Sequence, residues 1–365
     1  MQEKERTLTG AGVGRSLNLN SAKQARFDEF YTLEEDVAAE LKHYGPHFEN
    51  QVVYLNCDDP KHSAFWKYFD TNFDKLKLKR LLATHYDNTK PVHLWEKDRH
   101  HLQPTRTLLE GDGDFRSNET QNILRQANIV VTNPPFSLFK EHVTNLISAS
   151  KKFLIVGPMT AVTYKDVFPL IRDEKMWLGA NPAAGSREGN SLLFAVPNHY
   201  DGKTFLYDGK RCAKASAWWY TNLEHSGRRK PLHATATYHP NVYPTYDNYH
   251  AIEVPRVQNI PQDYDGAMGV PITYLKSHQP DQFNIVGITQ AWDKDAGYLH
   301  KTYGPQTQVN PSGEHKNTAK LNSGAAIKTD VTPTGTTYYQ VGDETFVKPY
   351  VRILIEHRKE PATDQ

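Results

Sequence analysis

Ala127-Asn128-Ile129-Val130-Val131-Thr132-Asn133-Pro134-Pro135-Phe136 is the stretch from which the rest of this chain is read. Its first half is an apolar, β-branched run bounded by turn residues, the pattern of a strand buried on both faces. Its second half closes that strand with two prolines, which remove two backbone donors and fix φ, so the turn presents carbonyl oxygens toward one point. The Asn133 amide and the Pro134 carbonyl can then accept both hydrogens of a single NH2 group, with Pro135 shaping the turn. Phe136 offers a flat face to the group that carries the amine. The arrangement suits chemistry at an exocyclic or amide nitrogen.

Working outward, Val52-Val53-Tyr54-Leu55 reads as a strand, residues 63–73 as a helix and residues 79–84 as a second strand. A third strand is expected around residues 107–109, a helix over 139–149 and a further strand over 152–158. Strands alternating with helices predict an α/β fold with a doubly wound, parallel sheet. Three more strand-like runs follow, at 176–179, 191–196 and 215–220, the last two able to pair as an antiparallel edge. Trp218 and Trp219 read as core. Ahead of the sheet, residues 1–26 are polar and rich in Gly, Ser and Asn, as in a flexible arm. Apolar residues between 27 and 41 recur at helical spacing, and Thr32 with Glu35 predicts a capping box that starts a helix at Thr32.

In such sheets ligands bind beyond the carboxyl ends of the strands, and the polar clusters fall there. Asn56-Cys57-Asp58-Asp59 follows the first strand and Gly113-Asp114-Phe115 the third. No Gly-x-Gly fingerprint follows the first strand, which argues against NAD and FAD. Asp114 can accept from an adenine amino group while Phe115 stacks on the ring, and Asp58 and Asp59 can accept from an ammonium or ribose hydroxyls. S-adenosylmethionine carries all of these groups. Each acid reads equally well as a helix cap, Asp59 before Pro60 in particular.

At 365 residues and a net charge of +1, the chain has room for a catalytic region plus a smaller one, and any nucleic-acid footprint must be local. The charged first residues do not form a secretory signal and no run is apolar enough for a bilayer, so a cytoplasmic protein without membrane association is expected. Two cysteines, Cys57 and Cys212, give no disulfide framework, and the 17 histidines show no metal spacing, so no metal is expected. Residues 27–224 read as a catalytic domain and 225–365 as a target-recognition region. His225 to His233 forms a basic linker holding Arg228, Arg229 and Lys230. Farther on, Asn241, Asn248, Arg256, Gln258 and Lys276 have side chains able to read base edges. Residues 181–189, with Arg187, form a loop placed to line a target pocket.

At this point the chain resembles the EcoRI-type adenine-specific DNA methyltransferases. The resemblance is carried by Phe27-x-x-Phe30-Tyr31-Thr32, Asn56-Cys57-Asp58-Asp59-Pro60, Gly113-Asp114-Phe115 and Asn133-Pro134-Pro135-Phe136. Tyr246-Asp247-Asn248-Tyr249, Ile252-Glu253-Val254-Pro255 and residues 265–273 are similar to that family as well. It implies a Rossmann-like sheet, S-adenosylmethionine as methyl donor, and adenine N6 in double-stranded DNA as acceptor. It assigns Tyr31 and Thr32 to the cofactor's methionine end, residues 56–59 to its binding loop, Asp114 and Phe115 to its adenine, and residues 133–136 to the target base. The chain departs from the general methyltransferase pattern in having Asn-Cys-Asp-Asp where a glycine-rich loop is usual, and residues 293–337 do not align with the family. Two other readings stand beside it: amino-methylation of RNA or of protein glutamine, and a non-catalytic nucleic-acid-binding module on the same scaffold.

Overall fold

The computed structural model describes residues 31–101, 103–181, 192–196, 200 and 202–359. Eight strands form the central sheet, in the order Thr105–Leu108, His93–Asp98, Arg80–Ala83, Val52–Leu55, Ile129–Thr132, Lys152–Pro158, Ala217–Thr221 and Trp177–Leu178. The four in the middle, from Arg80–Ala83 to Lys152–Pro158, run parallel. Antiparallel pairings flank them on both sides.

Side chains alternate strictly across this sheet, as the pleat requires. Val53, Leu55, Ile129, Val131, Leu154, Val156 and Trp219 face one core; Val52, Tyr54, Val130, Phe153, Ile155, Trp218 and Tyr220 face the other. The Ala64–Thr71 helix covers the first face, burying Phe65, Trp66 and Phe69, with Ser63 as N-cap accepting from the Phe65 and Trp66 amides. The Asn118–Gln126 and Phe139–Ser148 helices cover the second through Ile123, Leu124, Phe139, Val143 and Leu146. Both tryptophans are fully buried, as expected of core residues.

Several expectations need correction. No cap forms at Thr32: Tyr31–Thr32 is a short strand paired with Leu192–Ala195, and the helix begins at Glu34 with Leu33 as N-cap. Edge pairing takes the backbone that a capping box would have used. The runs expected to pair at 191–196 and 215–220 lie in different sheets. A hairpin of Phe205–Tyr207 and Lys210–Ala215 intervenes and takes Leu192–Ala195 as its neighbour, while Ala217–Thr221 joins Lys152–Pro158. The 107–109 strand is real but reaches the parallel strands only through His93–Asp98. The arm at 1–26 lies outside the described residues.

Beyond residue 224 the chain builds a four-stranded sheet, Ile252–Glu253, Met268–Pro271, Arg352–His357 and Phe283–Ile288, and a five-stranded one that includes residues 306–347. Ile252, Met268, Val270, Ile285, Ile353 and Ile355 share one core with Trp218 and Phe168. The change of composition near residue 224 thus marks a change of sheet within a continuous core. Among the described residues, no helix is long and apolar enough to cross a membrane.

Candidate active site

The chain leaves Val52–Leu55 for Arg80–Ala83 on one side and later returns to its other side at Ile129–Thr132. Where strand order reverses in this way, the loops after the two strands diverge and open a crevice at their carboxyl ends. Tyr31, Thr32, Cys57, Asp58, Asp59, Ser63, Phe65 and Asn133 line that crevice.

Asp58 fixes its shape. One carboxylate oxygen accepts from the Ser63 hydroxyl at 2.7 Å, the other from the Thr132 hydroxyl at 2.5 Å, and the Asp58 amide donates to the Thr84 carbonyl at 3.0 Å. One residue so ties together the ends of three adjacent parallel strands. Asp59 accepts from the Lys61 amide at 3.1 Å and shapes the turn. Thr32 is buried at the rim, and among the described residues its hydroxyl makes no hydrogen bond. A buried hydroxyl in that state costs free energy unless a ligand supplies the partner. Tyr31 packs edge-on to His62 at 6.0 Å.

Asn133 reaches the crevice directly after the Ile129–Thr132 strand. The Pro135 carbonyl accepts from the Leu138 amide at 2.9 Å, closing a single 3-10 turn over Phe136–Leu138. Phe136 is 8% exposed and meets Phe194 edge-on at 6.1 Å, so the small sheet built on Tyr31–Thr32 touches the aromatic of the Asn-Pro-Pro-Phe turn.

Asp114 and Phe115 stand apart from this cleft, beside a depression lined by Arg116, Gln121, Ser137, Lys140 and Asn145. The Arg116 guanidinium grips the Asp114 carboxylate at 2.6 and 2.9 Å and holds it below the usual carboxylate range. Gly113 precedes them at φ +78, where a Cβ would lie 2.1 Å from the His85 carbonyl oxygen, so the backbone passes closer than any other residue allows. Asn56 is buried behind the crevice wall, 3.0 Å from His142 Nε2, and the His142 ring packs edge-on to Phe115 at 4.9 Å. Complete burial pushes the His142 imidazole down to about 3. It is therefore neutral, and because the Asn56 amide oxygen only accepts, Nε2 carries the proton. The chain Asn56–His142–Phe115 joins the two depressions.

The residues expected at DNA fare differently. Arg228 is buried, paired with Glu174 at 2.7 Å and with Glu224, and its guanidinium lies 3.7 Å from the Trp177 ring centroid. It is an internal brace and cannot meet a phosphate, which corrects its place in a basic linker. Asn248 is fully buried: its amide donates to the Gly324 carbonyl at 2.9 Å and accepts from the Ala326 amide at 2.8 Å. Those bonds occupy the groups that would read a base, so it too is corrected. Arg229 is exposed and paired with Asp281 at 2.9 Å, and Lys230, Asn241, Arg256 and Gln258 are exposed or partly so. Lys276 lies half-buried over the Trp218 ring at 5.3 Å. Arg187 and most of the 181–189 loop lie outside the described residues. Ser63, Thr132 and His142 were missed in sequence; only Ser63, placed just before a helical run, left a signal, that of an N-cap.

A reversing α/β sheet whose crevice gathers Asn133 of the Asn-Pro-Pro-Phe turn, a carboxylate braced by two hydroxyls and a buried unsatisfied hydroxyl has the build of an enzyme site. The particular family follows from comparison. Residues 18–358 match the family described as "Adenine-specific methyltransferase EcoRI", and the chain belongs to it. It is 42% identical over 299 residues to Type II methyltransferase M.EcoRI of Escherichia coli, covering 76% of this chain and 90% of that one. It is 38% identical over 279 residues to Type II methyltransferase M.MpnI of Mycoplasma pneumoniae, covering 73% and 84%. Type II methyltransferase M.MgeORF184P of Mycoplasma genitalium is 37% identical over 278 residues, covering 74% and 85%. No solved structure matches the chain. The protein is a DNA adenine methyltransferase.

Proposed function

We propose that this enzyme transfers a methyl group from S-adenosylmethionine to N6 of an adenine turned out of double-stranded DNA, at a specific sequence, as the modification partner of a restriction–modification system in the cytoplasm. The observation that carries this reading is the meeting of Asn133 with Thr32 and Asp58 in one crevice at the reversal of the sheet. The architecture is read as Rossmann-like, with residues 27–224 catalytic and 225–365 recognising the target.

The residues suit the cofactor. Thr32 has a buried hydroxyl in want of a partner at the rim, Tyr31 stands beside it, and Asp58 and Asp59 follow the first parallel strand, where a ligand's ammonium and hydroxyls are met. Asn56 holds His142 against Phe115, and Asp114 and Phe115, beside the second depression, are assigned to the cofactor's adenine. The cofactor supplies a methyl carbon made electrophilic by a sulfonium. Adenine N6 is a weak nucleophile because its lone pair is delocalised, and within a paired duplex it is out of reach, so the base must leave the stack. The Asn133 amide oxygen and the Pro134 carbonyl would accept hydrogen bonds from the two amino hydrogens and hold the nitrogen facing the methyl donor, with Pro135 shaping the turn and Phe136 against the base. Alignment supplies most of the rate, and because the methylated nitrogen is cationic and sheds its extra proton to water, no strong general base is required.

The test is Asn133→Ala in the full-length protein. Methyl transfer should fall by about 100-fold or more, the scale of one preorganised catalytic hydrogen bond. Calorimetric affinity for S-adenosylmethionine should stay within about threefold, since Asn133 serves the acceptor. Turnover near the parental rate would contradict the assignment.

A further inference from the structure

The small sheet beside the crevice continues beyond it. Thr32, Phe194 and Ala213 stand in one register row across three strands and so share a face. Two residues on, Val196 and Arg211 return to that face, the Val196 amide donating to the Arg211 carbonyl at 2.9 Å, and Arg211 stands opposite Leu206. The face that touches Phe136 through Phe194 therefore runs outward to Leu206. Phe194 and Ala213 are buried, but Leu206 is 78% exposed. Strand spacing puts Leu206 about 12 Å from Phe194.

A lone exposed leucine carries nothing by itself. Its setting does. Between residues 203 and 215 four cations, Lys203, Lys210, Arg211 and Lys214, stand against one acid, Asp208. Lys203, Lys210 and Lys214 are exposed, and Lys214 lies 5.9 Å over the Phe205 ring on the opposite face. Arg211 is anchored to the Tyr200 carbonyl at 2.6 Å and the Thr204 hydroxyl at 3.2 Å. The turn is tight: Asp208 and Gly209 both have positive φ, 47 and 71, the two-residue connection that matches strand twist and stiffens a hairpin. A stiff hairpin with an exposed leucine on one face and lysines around it, built on the sheet that holds Phe136, complements a polyanion with an apolar stack. Duplex DNA has that chemistry.

We propose that this hairpin is a wedge: Leu206 packs against the base step vacated by the departing adenine, and the exposed lysines, Lys210 on the hairpin's other face and Lys203 at its base, reach around its edge to the neighbouring phosphates. Extruding a base costs stacking energy, and an apolar side chain entering the step offsets part of that cost. The proposal rests on the reading of Asn133 to Phe136 as the target-base site.

It is tested with full-length Leu206→Ala and Leu206→Met on two duplexes, one with the target adenine paired and one with it mismatched, so that extrusion is already easy. Leu206→Ala should lower kcat/KM about tenfold or more on the paired duplex and less than about threefold on the mismatched one. Leu206→Met should restore most of the loss, and affinity for S-adenosylmethionine should not change. 2-Aminopurine at the target position should brighten less with Leu206→Ala than with the parent. Equal losses on both duplexes, or no loss on either, would overturn the wedge while parental methylation left the adenine reading standing. Failure of the parent to methylate either duplex would remove both.

Discussion

At the carboxyl ends of the Val52–Leu55 and Ile129–Thr132 strands, polar side chains line an open crevice, whereas after residue 224 several side chains of the same types are turned inward. Asp58, Thr32 and Asn133 face a cleft; Asn248, Glu253 and Arg352 face one another or the backbone. Tyr246 donates to Glu253 at 2.5 Å and Arg352 grips the same carboxylate at 2.6 Å, all of it buried or nearly so. The parallel strands are satisfied by their own ladder, which releases side chains for chemistry. The irregular antiparallel segments are not, and they spend side chains on holding loops together. A base-reading residue type is therefore weak support for base reading unless its hydrogen-bonding groups point outward.

This contrast can be broken at single residues. Asn248→Ala should cost about 3 kcal/mol of stability, because it leaves the Gly324 carbonyl and the Ala326 amide buried without partners. Denaturant midpoints measure it, and the methylated sequence should be unchanged; a loss of sequence preference in a stably folded variant would return Asn248 to the DNA surface. The next effect is pH-dependent. His142 is held neutral in the fold down to about 3, while the unfolded chain takes up the proton near 6.5. Its contribution is therefore complete above about 6.5 and is lost as pH falls, by about 2 kcal/mol at pH 5. His142→Gln should shrink the parental loss between pH 7 and pH 5 by that amount, and equal losses in the two proteins would show that the imidazole is not the group titrating.

Smaller still is Asp114→Ala, which should raise the S-adenosylmethionine dissociation constant about tenfold and leave DNA affinity alone. Calorimetry that shows no change would move the cofactor's adenine elsewhere. The smallest effect is expected of the exposed pair Arg229→Gln with Lys230→Gln. Stability should move by less than about 1 kcal/mol, since the Arg229–Asp281 pair is half exposed on both sides. The salt dependence of DNA binding should flatten, its slope falling by up to about one for each phosphate the variant no longer neutralises. An unchanged slope would make this segment an ordinary linker.

What could be read from the sequence follows the same division. Val52–Leu55, Ile129–Thr132 and Lys152–Pro158 are buried on both faces and therefore appear as continuous apolar runs, so the parallel sheet and the position of Asn133 were legible. His93–Asp98 is half-buried throughout and Thr105–Leu108 is exposed, so neither alternates clearly, and the first was missed. Strands such as Gln306–Val309 and His315–Thr318, the second an edge, are polar and belong to a sheet with a small core, and no hydrophobic period marks them. Thr32 is legible as a rim residue but not as part of a strand, because pairing with a strand some 160 residues later leaves no local signal. Arg228 looked like part of a basic run, and only the fold brings Trp177, Glu174 and Glu224 around it.

The central claim is that the crevice at the sheet reversal delivers a methyl group to the amino nitrogen of adenine in DNA. The most direct measurement is to incubate the full-length protein with methyl-labelled S-adenosylmethionine and a mixture of duplex DNA, RNA and protein, then digest each and identify the labelled product by mass spectrometry. The label should appear in DNA as N6-methyladenine, at one sequence, and Asn133→Ala should abolish it. Label in RNA, in glutamine side chains or in cytosine, or undiminished labelling by Asn133→Ala, would contradict the account.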